Sequence, residues 1–383
     1  MKTKYLLAPL VIVQTMLSVR VIWRMLRSSR GERIQPIKPA TEKARVSIIV
    51  PVLNERNRLA PCLAGLITQG TEVVEILVVD GGSTDETQQL VCTFAERDTR
   101  VRLIDASPVP DAWNGKAWGL EVGLSSSSPD SAWILTVDAD VRPTAPLTNA
   151  LLAQAERSKL AALSVATLQE IEGVGEGIVH PSMLTTLVYR FGIPGNVYHS
   201  VREVQANGQC FLFSRDALKA CNGFLDTHNS ICEDITIARS LVAAGYPVGF
   251  YEAGELISVN MYDDWRDTWR NWSRSLPMHD RFSGLHTLLG WLEVMLVQAL
   301  PLPLFLFLVA TRNHHHWLAL PESVLTAMRI GVLVGTARAY QSRPWSYWLS
   351  PLCDLPVAVE LGRNALKRRH TWRGRVLNRG GLS

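Results

Sequence analysis

The front of the chain carries short blocks of aliphatic, mostly β-branched residues without a helical period, each ending in an acidic or polar break. Blocks of this kind predict buried strands, and apolar positions three and four apart after them predict helices. Val46-Ser-Ile-Ile-Val-Pro51-Val-Leu-Asn54-Glu55 is the first strand, closed by Pro51 and a polar turn and followed by helical spacing from Asn57 to Leu66. Val73 to Asp80 is the second, and Gly81-Gly82-Ser83-Thr84-Asp85 after it offers Ser83, Thr84 or Asp85 as a helix cap. Arg100 to Asp105 and Ser131 to Val137 are two more. Strands alternating with helices predict an α/β fold whose mostly parallel sheet is covered on both faces.

Longer apolar stretches at the two ends predict something else. Tyr5 to Val19, extended by Val21 to Trp23, is long enough to span a bilayer if Arg20 snorkels. No small-residue cleavage site follows it, and Arg20, Arg24, Arg27, Arg30 and Arg33 outweigh Lys2 and Lys4 before it. This predicts an uncleaved anchor with the α/β domain in the cytoplasm. His286 to Ala310, charged only at Glu293, predicts a second span despite Pro301 and Pro303. Trp317 to Tyr340 is a weaker candidate, broken by Glu322 and Arg329, and the proline-interrupted Trp345 to Leu361 predicts a re-entrant or surface helix. A cytoplasmic tail, Lys367 to Arg375, requires an even number of crossings after the α/β domain, so the expectation is a multi-pass protein of the cell membrane with two late spans and an interfacial segment.

Candidate chemistry gathers around the fourth strand. Trp133-Ile-Leu-Thr-Val-Asp138-Ala-Asp140 releases two carboxylates at its carboxyl end, the edge where open α/β sheets bind ligands. One intervening residue of extended chain sets both on the same side. Such a pair suits a divalent cation, Mg²⁺ or Mn²⁺, that also holds a diphosphate, though two aspartates after a strand also start turns and cap helices. Asp80 stands at the matching end of the second strand. No G-x-x-x-x-G-K-[ST] or G-x-G-x-x-G follows a strand, which argues against a P-loop or a dinucleotide fingerprint. In Trp113-Asn-Gly115-Lys116 a lysine sits on a glycine-bearing turn, placed either to meet phosphate as a point charge or to lie in solvent. Cys232-Glu233-Asp234-Ile235 sets two acids at the entry of a helix expected over Asp234 to Ala244; they complement the macrodipole or supply a general base. In Asn207-Gly208-Gln209, Gly208 permits close backbone approach, and Gln209 can bond a ligand or the sheet edge. Trp265, Trp269 and Trp272 fall at i, i+4 and i+7 and share one helix face, which serves acceptor stacking, core packing or interfacial anchoring.

Val46 to Glu55, Val78 to Thr87 and Asp138-Ala-Asp140 together resemble the inverting glycosyltransferases of family 2, which have a GT-A fold. The resemblance implies that Pro51, Glu55 and Asp80 cradle the base of a UDP- or GDP-linked sugar. It further implies that Asp138 and Asp140 hold the metal and the sugar diphosphate, that Lys116 lies near the donor, and that Asp234 is the base with Glu233 assisting. Gly208 and Gln209 would border the acceptor. The stretch Trp265 to Arg274 departs from the Q-x-x-R-W motif of processive members, which favours transfer of a single sugar. The layout is nearest to a branch acting on carotenoids and hopanoid-associated lipids, so the implied acceptor is a lipophilic hydroxyl such as the 2'-hydroxyl of a myxol-type xanthophyll. Glycolipid and polyprenyl-phosphate acceptors are the alternatives, and a noncatalytic membrane scaffold of degenerate fold is the alternative outside enzymes.

These readings divide the chain into an anchor (1–25), a basic linker (26–45), a nucleotide-sugar half (46–145), an acceptor half (146–284) and a C-terminal membrane region (285–383). The net charge of +4 is small, and the arginines cluster beside apolar segments, which points to membrane phospholipid as partner and away from nucleic acid. Six cysteines without a C-x-x-C fit reduced thiols and give no zinc motif. His314 to His316 read as a polar loop between spans.

Overall fold

The computed structural model describes residues 2–29, 31–37, 45–230, 232–262, 264–275, 284–311, 317, 319–366, 369–372 and 375–378. His314 to His316 and, in the basic tail, residues 367, 368, 373 and 374 lie outside these residues. In chain order the elements begin with α1 (Lys2–Ser28), β1 (Val46–Val52), α2 (Leu59–Leu66), β2 (Val73–Asp80), α3 (Thr87–Ala95), β3 (Val101–Asp105), α4 (Gly115–Ser126) and β4 (Trp133–Val137). They continue with β5 (Val141–Pro143), α5 (Leu147–Arg157), β6 (Ala162–Gln169), α6 (Gly173–Phe191), β7 (Asn196–Tyr198), β8 (Cys210–Ser214), α7 (Arg215–Ala220), α8 (Glu233–Ala243) and β9 (Val248–Val259). The last are α9 (Trp265–Ser275), α10 (Gly284–Glu293), α11 (Pro301–Ala310), α12 (Ala319–Thr336), α13 (Asp354–Leu366) and a small hairpin, β10 (Arg369–Trp372) with β11 (Arg375–Asn378). Two compact units result: a sheet unit of Gly31–Gln169, Pro194–Met261 and Arg369–Ser383, and a helical unit of Met1–Arg30, Glu170–Ile193 and Tyr262–Arg368.

In the sheet unit the strand order is β3-β2-β1-β4-β8-β6-β9-β5, with β7 also on β9. Ile48, Val50, Ile76 and Val78 pack into a core on one face, while Ile49, Leu77 and Val79 pack into a core on the other. This is the period-two alternation of a strand buried on both sides. Helix α4 lies so close on β1 that a Cβ at Gly123 would come 2.4 Å from Ile49 Cγ2, and one at Gly119 would come 3.1 Å from Pro51 Cβ.

The expectation of a mostly parallel sheet needs correction. β1, β2, β3 and β4 are parallel to their neighbours, but β8 runs antiparallel to both β4 and β6, and β9 runs antiparallel to β5 and β7. The sheet is mixed. The cause lies in the chain path. After β6 the chain leaves for α6 and returns through β7 and a loop to enter β8 at the edge where β4 ends, with Cys210 opposite Val137, so no crossover helix carries it back to the other edge.

The helical unit has two helices long and apolar enough to cross a membrane among the described residues, Pro9–Ser28 and Gly284–Ala310. The second contains a π-helical stretch, Val294–Ala299, whose last turn closes by Leu300 N–H donating to the Met295 carbonyl, 3.0 Å. Glu322 and Arg329, which weaken α12 as a candidate span in sequence, do not face outward. With Leu325 and Leu333 they form its buried stripe, whereas Leu320, Val324, Ile330 and Val334 are exposed. Arg329 forms a buried ion pair with Asp354, 2.6 Å from Nε to Oδ2, and Asp354 also accepts from Ser182 Oγ and Gln298 Nε2. Glu322 accepts from Gln14 Nε2. Glu293, the one charge in 286–310, is 2.9 Å from both Arg20 and Arg24.

Candidate functional site

The site is built where β4 ends and β8 begins. Asp138 follows the last residue of β4, and its N–H donates to the Gln209 carbonyl, 3.0 Å, so the antiparallel entry of β8 brings Asn207-Gly208-Gln209 alongside the Asp138-Ala-Asp140 segment. Glu233 and Asp234 open α8, one residue earlier than the sequence spacing predicts. The Gly208 N–H donates to Asp234 Oδ2 at 2.7 Å, and the Ile235 N–H donates to Oδ1 at 2.8 Å. Lys116, the second residue of α4, joins the two acid pairs: its Nζ is 2.7 Å from Asp138 Oδ1, 2.8 Å from Glu233 Oε1 and 3.5 Å from the Gly208 carbonyl oxygen. A Cβ at Gly208 would come 2.8 Å from Lys116 Nζ and 3.1 Å from Glu233 Oε1, so a side chain there would press on the tips of both.

Asn114 fixes this geometry and was not anticipated. Its Oδ1 caps α4 by accepting the Lys116 N–H at 3.1 Å. Its Nδ2 donates to the Ser230 carbonyl at 3.0 Å and its own N–H donates to the His228 carbonyl at 2.6 Å. One asparagine therefore ties the lysine-bearing helix to the segment that leads into Glu233 and Asp234. An Asn directly before a helical glycine is a sequence-level cap signal, but its cross-link to 228–230 is a tertiary fact.

The carboxylates of Asp138, Glu233 and Asp234 surround the Lys116 ammonium, while Asp140 feels Asp138 and, in the other direction, Arg58 before Lys116. Burial works against charge on Lys116, yet Asp138, Glu233 and Asp234 outweigh it and hold the lysine well above its ordinary range, so it stays protonated. Burial pushes Asp138 up against the opposing pull of Lys116. Asp140 is pushed up to about 7 by burial and then by Asp138. Its Oδ1 is a buried acceptor with no hydrogen-bond partner, an arrangement that costs free energy unless a cation or donor arrives. Asp234 is also pushed up to about 7, by burial and then by Glu233, with Lys116 and the Ile235 and Gly208 N–H groups acting the other way. Beneath the aspartates, buried Cys62 points its thiol at the Asp138 carbonyl, 3.5 Å away. Burial and the two aspartates push that thiol well up, so it is inert packing.

The loops after β1 and β2 zip together on the same edge of the sheet. Asn54, in the left-handed region at φ 57°, donates its N–H to Ser83 Oγ and accepts the Thr84 N–H, both at 2.8 Å. Glu55 donates its N–H to Thr87 Oγ1 at 2.9 Å, and its carboxylate pairs with Arg58 at 3.1 Å. Asp80 is 1% exposed, and both its oxygens accept the Ser83 N–H while Gln88 Nε2 donates to Oδ2. Asp80 thus shapes the turn, while Pro51 packs beneath α4 beside Gly119.

Asp138, Lys116, Gly208, Glu233 and Asp234 are therefore brought into one cluster, with Asp140 electrostatically joined to Asp138. Gln209 is adjacent but engaged: its Oε1 accepts from Thr167 Oγ1 at 2.5 Å and from Asn207 Nδ2 at 2.9 Å, leaving Nε2 buried without a partner. The three tryptophans belong to the helical unit. There Trp272 is buried with its ring 4.2 Å from that of His180, whereas Trp265 is 43% exposed.

Residues 47–221 match the model of the family described as Glycosyl transferase family 2. The chain is 22% identical over 235 residues to the probable glycosyltransferase YdaM of Bacillus subtilis, covering 61% of this chain and 54% of that protein. It is 25% identical over 241 residues to 4,4'-diaponeurosporenoate glycosyltransferase of Staphylococcus aureus, covering 60% of each. The chain thus spans a little over half the length of these curated relatives. Among solved structures it matches the mannosyltransferase PcManGT from Pyrobaculum calidifontis, in complex with GDP-Man and Mn²⁺, with a TM-score of 0.54 at 18% identity over 94% of this chain and 97% of that one. The fold is α/β and GT-A-like. The curated relatives and the solved structure are glycosyltransferases by name, and the structural likeness shows the fold.

Proposed function

We propose that the protein is a membrane-bound, inverting glycosyltransferase that moves one sugar from a UDP- or GDP-linked donor to the hydroxyl of a lipophilic acceptor, a carotenoid first among the candidates. The observation that carries this reading is the meeting of Asp138 and the Glu233–Asp234 pair around Lys116 at the carboxyl edge of the sheet. Transfer to an alcohol needs a base for the hydroxyl and charge compensation for the leaving diphosphate, and this cluster offers both within one span of side chains.

The residues present fit a divalent cation. Asp140 Oδ1 is buried without a partner, and three further acids, Asp138, Glu233 and Asp234, act on one lysine. Among the described residues no set of three or more His, Cys, Asp or Glu side chains forms a closed metal cage, as expected where two carboxylates share Mg²⁺ or Mn²⁺ with substrate phosphates. Asp138 and Asp140 would hold the ion, which would neutralise charge on the departing nucleoside diphosphate. Asp234 takes the acceptor proton on a carboxylate oxygen that already accepts one backbone N–H, from Gly208 or Ile235, and these bonds fix its plane. Glu233, held by Lys116, orients the entry of α8. Attack from the side of Asp234 on a donor held at Asp138 and Asp140 is a single displacement and inverts the anomeric carbon. The loops after β1 and β2 are the reading for the base pocket, with Pro51 and Glu55 at the first and Asp80 acting through the turn whose shape it holds.

The lipophilic acceptor is supported by the relative named for diaponeurosporenoate and by the inside-out helical unit. Glu293, Gln298, Glu322, Arg329 and Asp354 are at most 2% exposed there, while Met16, Val19, Phe307, Leu320 and Val334 are exposed, the distribution expected of helices facing lipid. With α1 as anchor and arginines behind it, the catalytic unit is cytoplasmic and the protein multi-pass. Membranes bearing the chain should convert a hydroxylated carotenoid to its monoglycoside with one member of a GDP- and UDP-sugar panel, read by mass spectrometry of extracted lipids. Glycosylation of a water-soluble acceptor alone would overturn the lipophilic reading, and no transfer from any donor would overturn the enzyme.

A further inference from the structure

We propose that Lys116 is a positioning residue that couples metal binding to donor binding: its ammonium serves as the resident counter-ion of Asp138 and Glu233, and a nucleoside diphosphate draws it away so that a divalent cation can take Asp138. The inference rests on the donor reading above.

Three observations carry it. First, Lys116 Nζ spends its donors on Asp138 Oδ1 at 2.7 Å, Glu233 Oε1 at 2.8 Å and the Gly208 carbonyl at 3.5 Å. Asp138, half of the metal-ligand pair, is thus already neutralised by a cation of the chain itself, while Asp140 Oδ1 beside it has no partner. A metal arriving alone meets one prepared carboxylate and one that is occupied. Second, the lysine's place is built. Asn114 holds its backbone N–H, and the bare backbone of Gly208 leaves the room that a Cβ, 2.8 Å from Nζ, would take. Third, the side chain that does the bridging is an ammonium on a four-carbon stem, a compact point charge that can pivot from carboxylate to phosphate while its backbone stays capped. Both anions compete for it, so diphosphate and metal help each other: one removes the lysine from Asp138, the other fills the space left. Linkage makes this help reciprocal, and couplings between sites are typically about 5- to 150-fold.

The test is Mn²⁺ binding to the detergent-solubilised full chain, followed by electron paramagnetic resonance, with and without GDP or UDP. Wild-type protein should bind Mn²⁺ at least about tenfold more tightly with its nucleotide than without, within the usual range of coupling. Lys116→Met should bind Mn²⁺ more tightly than wild type in the absence of nucleotide, and the nucleotide should then improve Mn²⁺ affinity by less than about threefold. Gly208→Ala, which crowds the ammonium without removing its charge, should shift both quantities in the same direction and carries the test if Lys116→Met fails to fold. A purely structural lysine would lower thermal stability in both variants and leave the coupling ratio unchanged, which would overturn the inference alone. Binding of Mn²⁺ or nucleotide that is absent even in wild type would instead overturn the donor reading, and this inference with it.

Discussion

The two units of this chain treat charge in opposite ways. In the helical unit the buried acids meet fixed partners of the chain: Asp354 with Arg329, Ser182 and Gln298, Glu293 with Arg20 and Arg24, and Glu322 with Gln14, although Arg329 Nη1 is left without a partner. In the sheet unit the acids at the carboxyl edge outnumber their cation, and Asp140 keeps a buried oxygen without a partner. The first arrangement holds helices together, since an ion in an apolar surrounding is tolerated only when satisfied. The second is incomplete without a ligand, which is the electrostatic mark of a site kept for chemistry. Removing an acid should therefore cost activity in one unit and folding in the other.

The largest effect falls on Asp234. A general base contributes about 10²- to 10⁴-fold, so Asp234→Asn should lower turnover by that order in a single-turnover assay while nucleotide affinity and melting temperature stay near wild type. With its carboxyl pushed up to about 7, the base is active only when ionised. Wild-type kcat/KM, measured with the divalent cation at saturation so that Asp140 is ionised throughout, should therefore climb as pH rises through about 7, and the residual activity of Asp234→Asn should lack that limb. If Glu233→Gln instead loses turnover and Asp234→Asn does not, the roles within the pair are reversed.

A smaller effect, of another kind, is expected at the buried pair of the helical unit. Breaking such a pair by removing one partner costs about 3–5 kcal/mol, so Asp354→Ala or Arg329→Met should lower the denaturation midpoint in detergent. Turnover per folded molecule should stay near wild type. Replacing both with apolar residues should recover part of the loss, because no uncompensated charge then remains. Lost turnover in a fully folded Asp354→Ala would dissolve the contrast between the units.

The contrast was only half legible in the sequence. Asp138 and Asp140 stood out because the strand before them is short, apolar and without helical period, and the same logic placed β1, β2 and the entry of α8. The direction of β8 was not legible, since it depends on the excursion through α6 and the return by way of β7, and no local pattern records which edge a chain comes back to. The sequence leaves Lys116 open between a phosphate contact and a solvated lysine, whereas its bridge from Asp138 to Glu233 joins residues far apart in sequence. In α12 the charges of Glu322 and Arg329 lowered the apolar average of the helix. Averaging along a helix ignores faces, and the spacing 322, 325, 329 and 333 is the one that turns both charges inward.

The smallest effect concerns Trp265 of α9, on a helix face where the structure splits what the spacing had joined. Trp272 is buried, stacked 4.2 Å from His180, so Trp272→Ala should cost about 3–5 kcal/mol, like other buried large aromatics. Trp265 is different: it is 43% exposed, carries the Arg266 guanidinium over its ring at 5.0 Å, and packs its inner edge where a Cβ on Gly175 would come 2.5 Å from Cδ1. A half-exposed indole paired with arginine suits a membrane–water interface. Trp265→Ala should therefore change stability by only about 0.5 kcal/mol and leave nucleotide-sugar hydrolysis unchanged, while raising the apparent KM for a bilayer-embedded alcohol a few-fold. A KM unchanged in liposomes of any composition would make Trp265 ordinary surface packing, and equal loss of hydrolysis and transfer would make it part of the fold.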